Sequence, residues 1–357
     1  MPKLSQQEFE DYLLDAIQQN ASDIHITPGR RPTLRIDGIL VPLLKRSTMS
    51  SDMTEEFAKH LMSDEQWESF RRTKEIDLSF SFADKARFRV NVFVQKGYIS
   101  VAMRAIPSKI KTLEELNLPL TLRQFIHTSQ GFFLMTGPSG HGKSTTLAAF
   151  IDEINHTRAE HMVTIEDPIE YLFTPDKCII DQREVGRDTE SFPIALRSAF
   201  RQDPDVIMVG EMRDPETIST AITAAETGHL VLSTLHTNSA SQTIDRIIDS
   251  FPSGQQNQIR VQLAGTLLGV VSQRLVPRTD GGIVPAIEIM IVNSAIRNLI
   301  RENKTHQIDL VIETSADDGM VTLNRYLAGL IKKGEISVDT AENYSYNPKE
   351  LKLLLGK

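Results

Sequence analysis

GFFLMTGPSGHGKSTTLAAFIDEIN, residues 131–155, decides the fold of this chain. GFFLMT reads as a buried strand, a glycine-rich turn follows, and KSTTLAAFIDEIN has helical periodicity. Gly137, Gly142, Lys143 and Ser144 match G-x-x-x-x-G-K-[ST] in the context that pattern requires, a strand before and a helix after. In such a turn successive backbone N–H groups and the helix N-terminus face phosphate oxygens, and a side chain on the glycines would keep the backbone from closing in. Gly137, Pro138, Ser139, Gly140, His141, Gly142, Lys143, Ser144 and Thr145 therefore form the expected phosphate cradle. Lys143 is expected to reach the β and γ phosphates of ATP and Ser144 to hold Mg2+.

Strands continue downstream. HMVTIED (161–167) and VIMVGE (206–211) are apolar runs that end in acids, and HLVLSTLHT (229–237) is another strand. Between them DPETISTAITAAETG (214–228) has Asp214 at an N-cap, Pro215 at the first helical position and Gly228 past the end. Alternation of strands and helices predicts a mostly parallel α/β sheet. From about Ala240 helical patterns dominate, interrupted by a strand at IVPAIEIMIV (283–292).

Hydrolysis needs an oriented water, and a carboxylate near the γ-phosphate is the usual means. Glu166 and Glu211 are the two candidates. Glu211 closes an apolar strand and is expected as the base, with Glu166 and Asp167 managing magnesium and water; Ser144, Glu166 and Glu211 make up the expected metal set. Gly210 stands where many P-loop enzymes carry a magnesium-facing aspartate, so the division of roles between Glu211 and Glu166 stays open. Arg197 and Arg201, at i and i+4, share a helix face and serve either surface pairing with Asp203 or Asp205 or phosphate neutralisation. His229 and His236 flank one strand on opposite faces, so they do not share a metal; turn or core histidines and a γ-phosphate sensor are the two readings.

The N-terminal third differs. Residues 6–19 repeat apolar side chains at helical spacing (Phe9, Leu13, Leu14, Ile17), and PTLRIDGILVPL (32–43) places Asp37-Gly38 between two short strands as a hairpin turn. IDLSFSF, RFRVNVFVQ and ISVAMRAI, within 76–106, read as three more strands. With Lys96-Gly97 as a two-residue turn, residue i pairs with residue 193 minus i. Phe88, Val90, Val92, Val94, Ile99, Val101, Met103 and Ala105 then share one face, and Arg89 lies directly across from Arg104 on the other. Like charges paired across strands are destabilising unless an anion joins them, so this face is either solvated or an anion clamp.

Pro107 and Pro119 bracket a polar, breaker-rich segment. The expected division is a domain over 1–110, a linker over 111–123 and a second domain over 124–357, and 357 residues suit two cores. A formal net charge of -8 argues against a general nucleic-acid binder. Cys178, the only cysteine, excludes an internal disulfide and a thiolate zinc cluster and fits a reducing cytoplasm. The N-terminus has no signal-peptide pattern, and no apolar run is long enough to span a bilayer, so a membrane role is expected only through a partner.

GPSGHGKSTTLA, TIEDPIEY, ALRSAFRQDPDVIMVGEMRD, ETGHLVLSTLHTNSA and AIRNLIRE together resemble the type IV pilus retraction ATPases, the PilT family of secretion-type hexameric motors. The resemblance extends to the N-terminal ASDIHITPGRRPTLRIDG. It implies an α/β protein with a PAS-like N-terminal α+β domain, a RecA-like P-loop ATPase domain with a helical C-terminal part, and a homohexameric ring. By position it puts Lys143 and Ser144 on Walker A, Glu166 and Asp167 on the Asp box, Glu211 on Walker B and His229 with His236 on the His box. It makes Arg89, Arg104, Arg197 and Arg201 nucleotide-approaching arginines. The family has Gly-Ser or similar where this chain has Gly140-His141, and the histidine is expected to point outward. Assembly and type II secretion relatives usually carry a four-cysteine zinc module, which one cysteine cannot build. AIRNLIRE (295–302) is similar to the retraction signature, which accessory retraction paralogues generally lack. The implied function is pilus retraction and twitching, at the inner face of the cytoplasmic membrane on a platform protein, without direct nucleic-acid contact. The rivals are a DNA-translocating RecA-like ring and a nucleotide-binding scaffold that does not turn over.

Overall fold

The computed structural model describes residues 4–36, 38–83, 85–106 and 109–356. Asp37 of the expected Asp37-Gly38 turn and Pro107 at the head of the expected linker lie outside the described residues. The backbone gathers into two compact units, one running to Lys109 and including Pro168–Leu172, the other comprising Ile110–Asp167 and the chain from Phe173 onward.

The first unit is α+β. Its opening helix α1 (Gln6–Gln18) starts on a capping box, where Ser5 Oγ accepts from the Glu8 N–H and the Glu8 carboxylate accepts from the Ser5 N–H. Phe9, Tyr12, Leu13 and Ala16 are buried, whereas Leu14 and Ile17 only border the core. The strands are β1 (Asp23–Ile26), β2 (Thr33–Ile36), β3 (Ile39–Pro42), β4 (Glu75–Phe82), β5 (Ala86–Gln95) and β6 (Tyr98–Ile106). They form an antiparallel sheet in the order β3-β2-β1-β6-β5-β4. The helices α2 (Ser51–Leu61) and α3 (Asp64–Thr73) add Phe57 and Phe70 to its core. The β5–β6 register is the expected one, with Arg89 opposite Arg104 and Phe88, Val90, Val92, Val101 and Met103 buried. β1 carries too few residues to show a strand period, and its first residue, Asp23, is in register with Arg35 of β2 and Arg104 of β6.

In the second unit the segment expected as a linker packs closely: Leu113 and Leu118 are buried, and Arg123 of the short helix α4 (Arg123–Ile126) pairs with Glu114 at 2.8 Å and with Glu153. The strands are β7 (Gly131–Thr136), β8 (His161–Glu166), β9 (Ile179–Glu184), β10 (Val206–Val209), β11 (Leu230–Leu235), β12 (Leu267–Pro277) and β13 (Ile283–Ile291), in the sheet order β13-β12-β7-β11-β10-β8-β9. All pairings are parallel except β12–β13. The helices are α5 (Lys143–Thr157), α6 (Phe192–Ala199), α7 (Pro215–Glu226), α8 (Ala240–Asp249) and α9 (Ser253–Thr266). Five more follow: α10 (Ser294–Arg301), α11 (Ile308–Thr314), α12 (Leu323–Lys332), α13 (Val338–Tyr344) and α14 (Pro348–Leu354).

Asp214 caps α7, accepting from the Thr217 N–H at 2.9 Å. α10 buries Ile296 and Ile300 and exposes Arg297, Asn298, Arg301 and Glu302, as its periodicity requires. Two strands of this unit carry no readable strand signal. β9 is a charged edge strand, and β12 follows α9 with no breaker between them, so its apolar run continued a helical pattern. α6 ends at Ala199, before Arg201, because Asp203 takes a positive φ and Pro204 follows. Arg201 is therefore past the helix on which it was expected.

Candidate functional site

Parallel order places the carboxyl ends of β7, β11, β10 and β8 side by side, the edge where open α/β sheets bind ligands. The phosphate loop follows β7, His236 follows β11, Glu211 follows β10, and Glu166 closes β8.

The loop is braced from β12. Gly137 has φ +139, and a Cβ there would lie 2.3 Å from the Gln273 carbonyl oxygen; Gly142 has φ +79 with the Gln273 amide 2.9 Å from its missing Cβ. The buried Gln273 side chain donates to the His141 carbonyl at 2.9 Å and accepts from Thr146 Oγ1 at 3.0 Å, so it spans the turn and the first turn of α5. His141 does not point outward. Its Nδ1 accepts from the Leu275 N–H at 2.9 Å, and burial, then the charges of Arg274 and Lys143, hold its pKa below the ordinary imidazole value. That bond needs the neutral ring, which the lowered pKa favours.

Lys143 is buried at 7 % exposure, its Nζ donating to the carbonyls of Gly137 and Pro138, each at 2.9 Å, with His236 Nδ1 at 3.4 Å. The other nitrogen of His236 lies 3.3 Å from Glu211 Oε2. One imidazole thus joins the phosphate-loop lysine to the strand-end carboxylate. Glu211 Oε1 is held at 2.5 Å by Arg213, a residue the sequence reading passed over although it stands two places along in the same string.

Glu166 is buried, accepting from Thr164 Oγ1 at 2.7 Å and from the Gln182 amide at 3.2 Å. Gly210 lies against it: a Cβ there would meet the Ile165 carbonyl at 3.2 Å and Glu166 Cα at 3.5 Å. The neighbouring strand thus fills the space beside the position where other P-loop enzymes carry their aspartate. Asp167 follows as an exposed residue.

The remaining candidates lie elsewhere. His229 sits at the opposite end of β11, roughly 20 Å of strand from His236. Its Nδ1 meets the Ala224 carbonyl at 2.8 Å and its ring packs edge-on to Phe200, the surroundings of a turn histidine. Arg197 pairs with Glu216 rather than with Asp203 or Asp205, and Arg201 donates to the Arg197 carbonyl at 3.2 Å. Arg89 and Arg104 belong to the first unit, where β1 sets Asp23 between Arg35 and Arg104. Arg104 Nε meets Asp23 at 2.9 Å, Arg35 lies at 3.8 Å from it, and Arg89 is 3.9 Å from Glu170. The anion that the paired arginines called for is supplied by the chain's own carboxylates.

Ser144, Glu166 and Glu211 are hard oxygen donors of the kind magnesium takes. Among the described residues no group of three or more His, Cys, Asp or Glu side chains is placed to hold a metal.

Strand order, phosphate loop and strand-end carboxylate define a RecA-like P-loop ATPase. Residues 5–309 match the family of type II/IV secretion system proteins, and the chain belongs to it. It is 45% identical over 342 residues to the type IV pilus retraction ATPase PilT of Pseudomonas aeruginosa, covering 96% of this chain and 99% of that protein. It is 44% identical over 321 residues to a twitching motility protein of Neisseria gonorrhoeae, covering 90% and 86%. The crystal structure of the pilus retraction motor PilT with bound ADP superposes with a TM-score of 0.90 at 46% identity, over 96% of this chain and 98% of that one.

Proposed function

We propose that this chain is the ATP-hydrolysing motor of type IV pilus retraction, acting as a homohexameric ring that withdraws pilin subunits and so drives twitching. The observation that carries the reading is the run of contacts from Lys143 through His236 to Glu211, which ties the phosphate cradle to a carboxylate able to orient water. The relatives' names give the direction of work, and the AIRNLIRE helix favours retraction over an accessory role.

Lys143 exchanges the carbonyls of Gly137 and Pro138 for the β and γ phosphates of ATP, and the N–H groups of the cradle hold the rest. Glu211 accepts the proton of the attacking water, His236 registers the terminal phosphate, and Glu166 with Asp167 fixes the water and cation side. Ser144, Glu166 and Glu211 would hold Mg2+, which screens the phosphate charge. The 1–110 domain presents Arg89 and Arg104 and the 124–357 domain presents Arg197 and Arg201 to nucleotide at the subunit junctions, with 111–123 joining the two domains. Each arginine would trade a present partner for phosphate. His229 supports the turn after α7. The ring works in the cytoplasm, docked on an inner-membrane platform protein; among the described residues no helix is long and apolar enough to cross a membrane.

The test is Glu211→Gln in the full chain. ATP binding should persist while phosphate release falls at least about 100-fold; retained turnover would transfer the base to Glu166. Deletion in the host should give surplus, non-retracting pili, and bald cells would point to assembly.

A further inference from the structure

His236 opens a loop, residues 237–239, that runs into α8, and this loop is fastened from below by the C-terminal part of the chain. The Tyr346 hydroxyl donates to the Asn238 carbonyl, and Arg274 donates to the Asn238 side-chain oxygen at 3.3 Å. The Arg274 guanidinium lies 4.5 Å over the Tyr346 ring and also donates to the Tyr344 carbonyl at 3.4 Å. Two residues on, the Ala240 N–H at the start of α8 donates to the buried Glu288 at 2.8 Å.

The segment that bears Tyr346 is itself pinned to α12. Ser345 Oγ donates to Asn324 Oδ1 at 2.6 Å, and Asn324 Nδ2 donates to the Asn347 carbonyl at 3.1 Å. Arg274 is adjacent in β12 to Gln273, which spans the phosphate loop. Polar contacts therefore run unbroken from α12 through Tyr346 and Arg274 to Asn238, two residues from the imidazole that touches Lys143 and Glu211. None of these links is implied by the phosphate-loop chemistry alone.

We infer that Arg274 and Tyr346 are positioning residues that set the loop after His236, and through it couple the C-terminal helices α12–α14 to the terminal phosphate. This rests on the ATPase reading of the site. A shift of His236 on arrival or loss of that phosphate moves Asn238, and the paired hydroxyl and guanidinium carry the shift to residues 344–347. Removing the hydroxyl leaves nucleotide contacts in place, so binding should be spared while the transition state, which needs His236 and Glu211 aligned, suffers.

The experiment measures amide hydrogen exchange in residues 344–354 of the full-length protein with ADP and with a non-hydrolysable ATP analogue, beside steady-state kinetics. In the unaltered chain exchange should slow at least about threefold with the triphosphate relative to the diphosphate. Tyr346→Phe, which keeps the ring over Arg274, should lose most of that difference and lower kcat about fivefold with KM within about twofold. Arg274→Gln should act in the same direction and more strongly; if it fails to fold, Tyr346→Phe alone decides. Identical exchange with both nucleotides, or a Tyr346→Phe protein with the difference and kcat intact, overturns the coupling. A chain that binds and hydrolyses ATP while 344–354 stays indifferent loses only this inference; one that does neither loses the motor reading with it.

Discussion

The two charged regions of this protein are built on opposite plans. At the carboxyl ends of the parallel strands, groups distant in sequence satisfy one another: Gln273 holds the turn at His141, and His236 stands between Lys143 and Glu211. On the outer face of the antiparallel sheet charges lie in a row set by strand register, Arg35, Asp23, Arg104 and Arg89, and the arginines of β5 and β6 keep contact with solvent. The first arrangement is anchored by buried packing at Gln273 and Lys143 that a single added atom would disturb, with the half-exposed His236 as its outer member. The second is held by surface ion pairs, each weak enough in water to be exchanged for another anion. Under the proposed function the braced region would be where bonds break, and the exchangeable charges would be free to trade their partners for phosphate.

Gly137→Ala tests the rigid half most severely. The new methyl would meet a backbone carbonyl at 2.3 Å, at a φ of +139, and neither the strand nor the turn can give way without breaking the Gln273 brace. Loss of nucleotide binding by at least about 100-fold and a stability cost of about 3 kcal/mol are expected. Calorimetric titration with ADP and denaturant unfolding would measure both; near-normal binding would mean that the turn is looser than its contacts imply.

This rigid half was also the more legible in sequence, but only in part. The glycine pattern announces itself because it must admit phosphate, and the acids at strand ends follow from the sheet. The brace does not. Gln273 is 136 residues from Gly137 in the chain, counting from one number to the other, and nothing near it signals the contact. His141 turns inward for the same reason, since its acceptor role depends on β12, a strand concealed behind α9. The sheet face behaved in reverse. Pairing of Arg89 with Arg104 follows from a two-residue turn by arithmetic, whereas its neutralisation by Asp23 required a four-residue strand too short to show a period.

Glu288 sharpens the contrast at intermediate cost. It is buried in β13 at the start of α8, and burial pushes its carboxyl up to about 7 from an ordinary 4.5. The folded chain therefore keeps a proton that the unfolded chain releases, so the stability this group contributes is greatest at low pH and declines as pH rises from about 4.5 to about 7. Glu288→Gln removes the titration. Relative to the unaltered chain, the variant should gain about 2 to 3 kcal/mol between pH 5 and pH 8 in denaturant unfolding. A difference that stays constant over that range would show the acid to be solvated and the support beneath the site to be soft.

The smallest effect on stability, and the one that best separates the two plans, belongs to Arg104. Its side chain is 73% exposed and its partner Asp23 also has Arg35 nearby, so Arg104→Gln should cost at most about 1 kcal/mol of stability. If the arginine exists to reach nucleotide, hydrolysis by the assembled protein should nevertheless fall about tenfold or more. Asp23→Asn is the control, because it dissolves the same ion pair while leaving the guanidinium free. A structural role predicts that both substitutions injure activity alike. A phosphate-seeking role predicts that Arg104→Gln is impaired and Asp23→Asn is not, since the carboxylate then competes with the phosphates for the same cation and its removal relieves the competition.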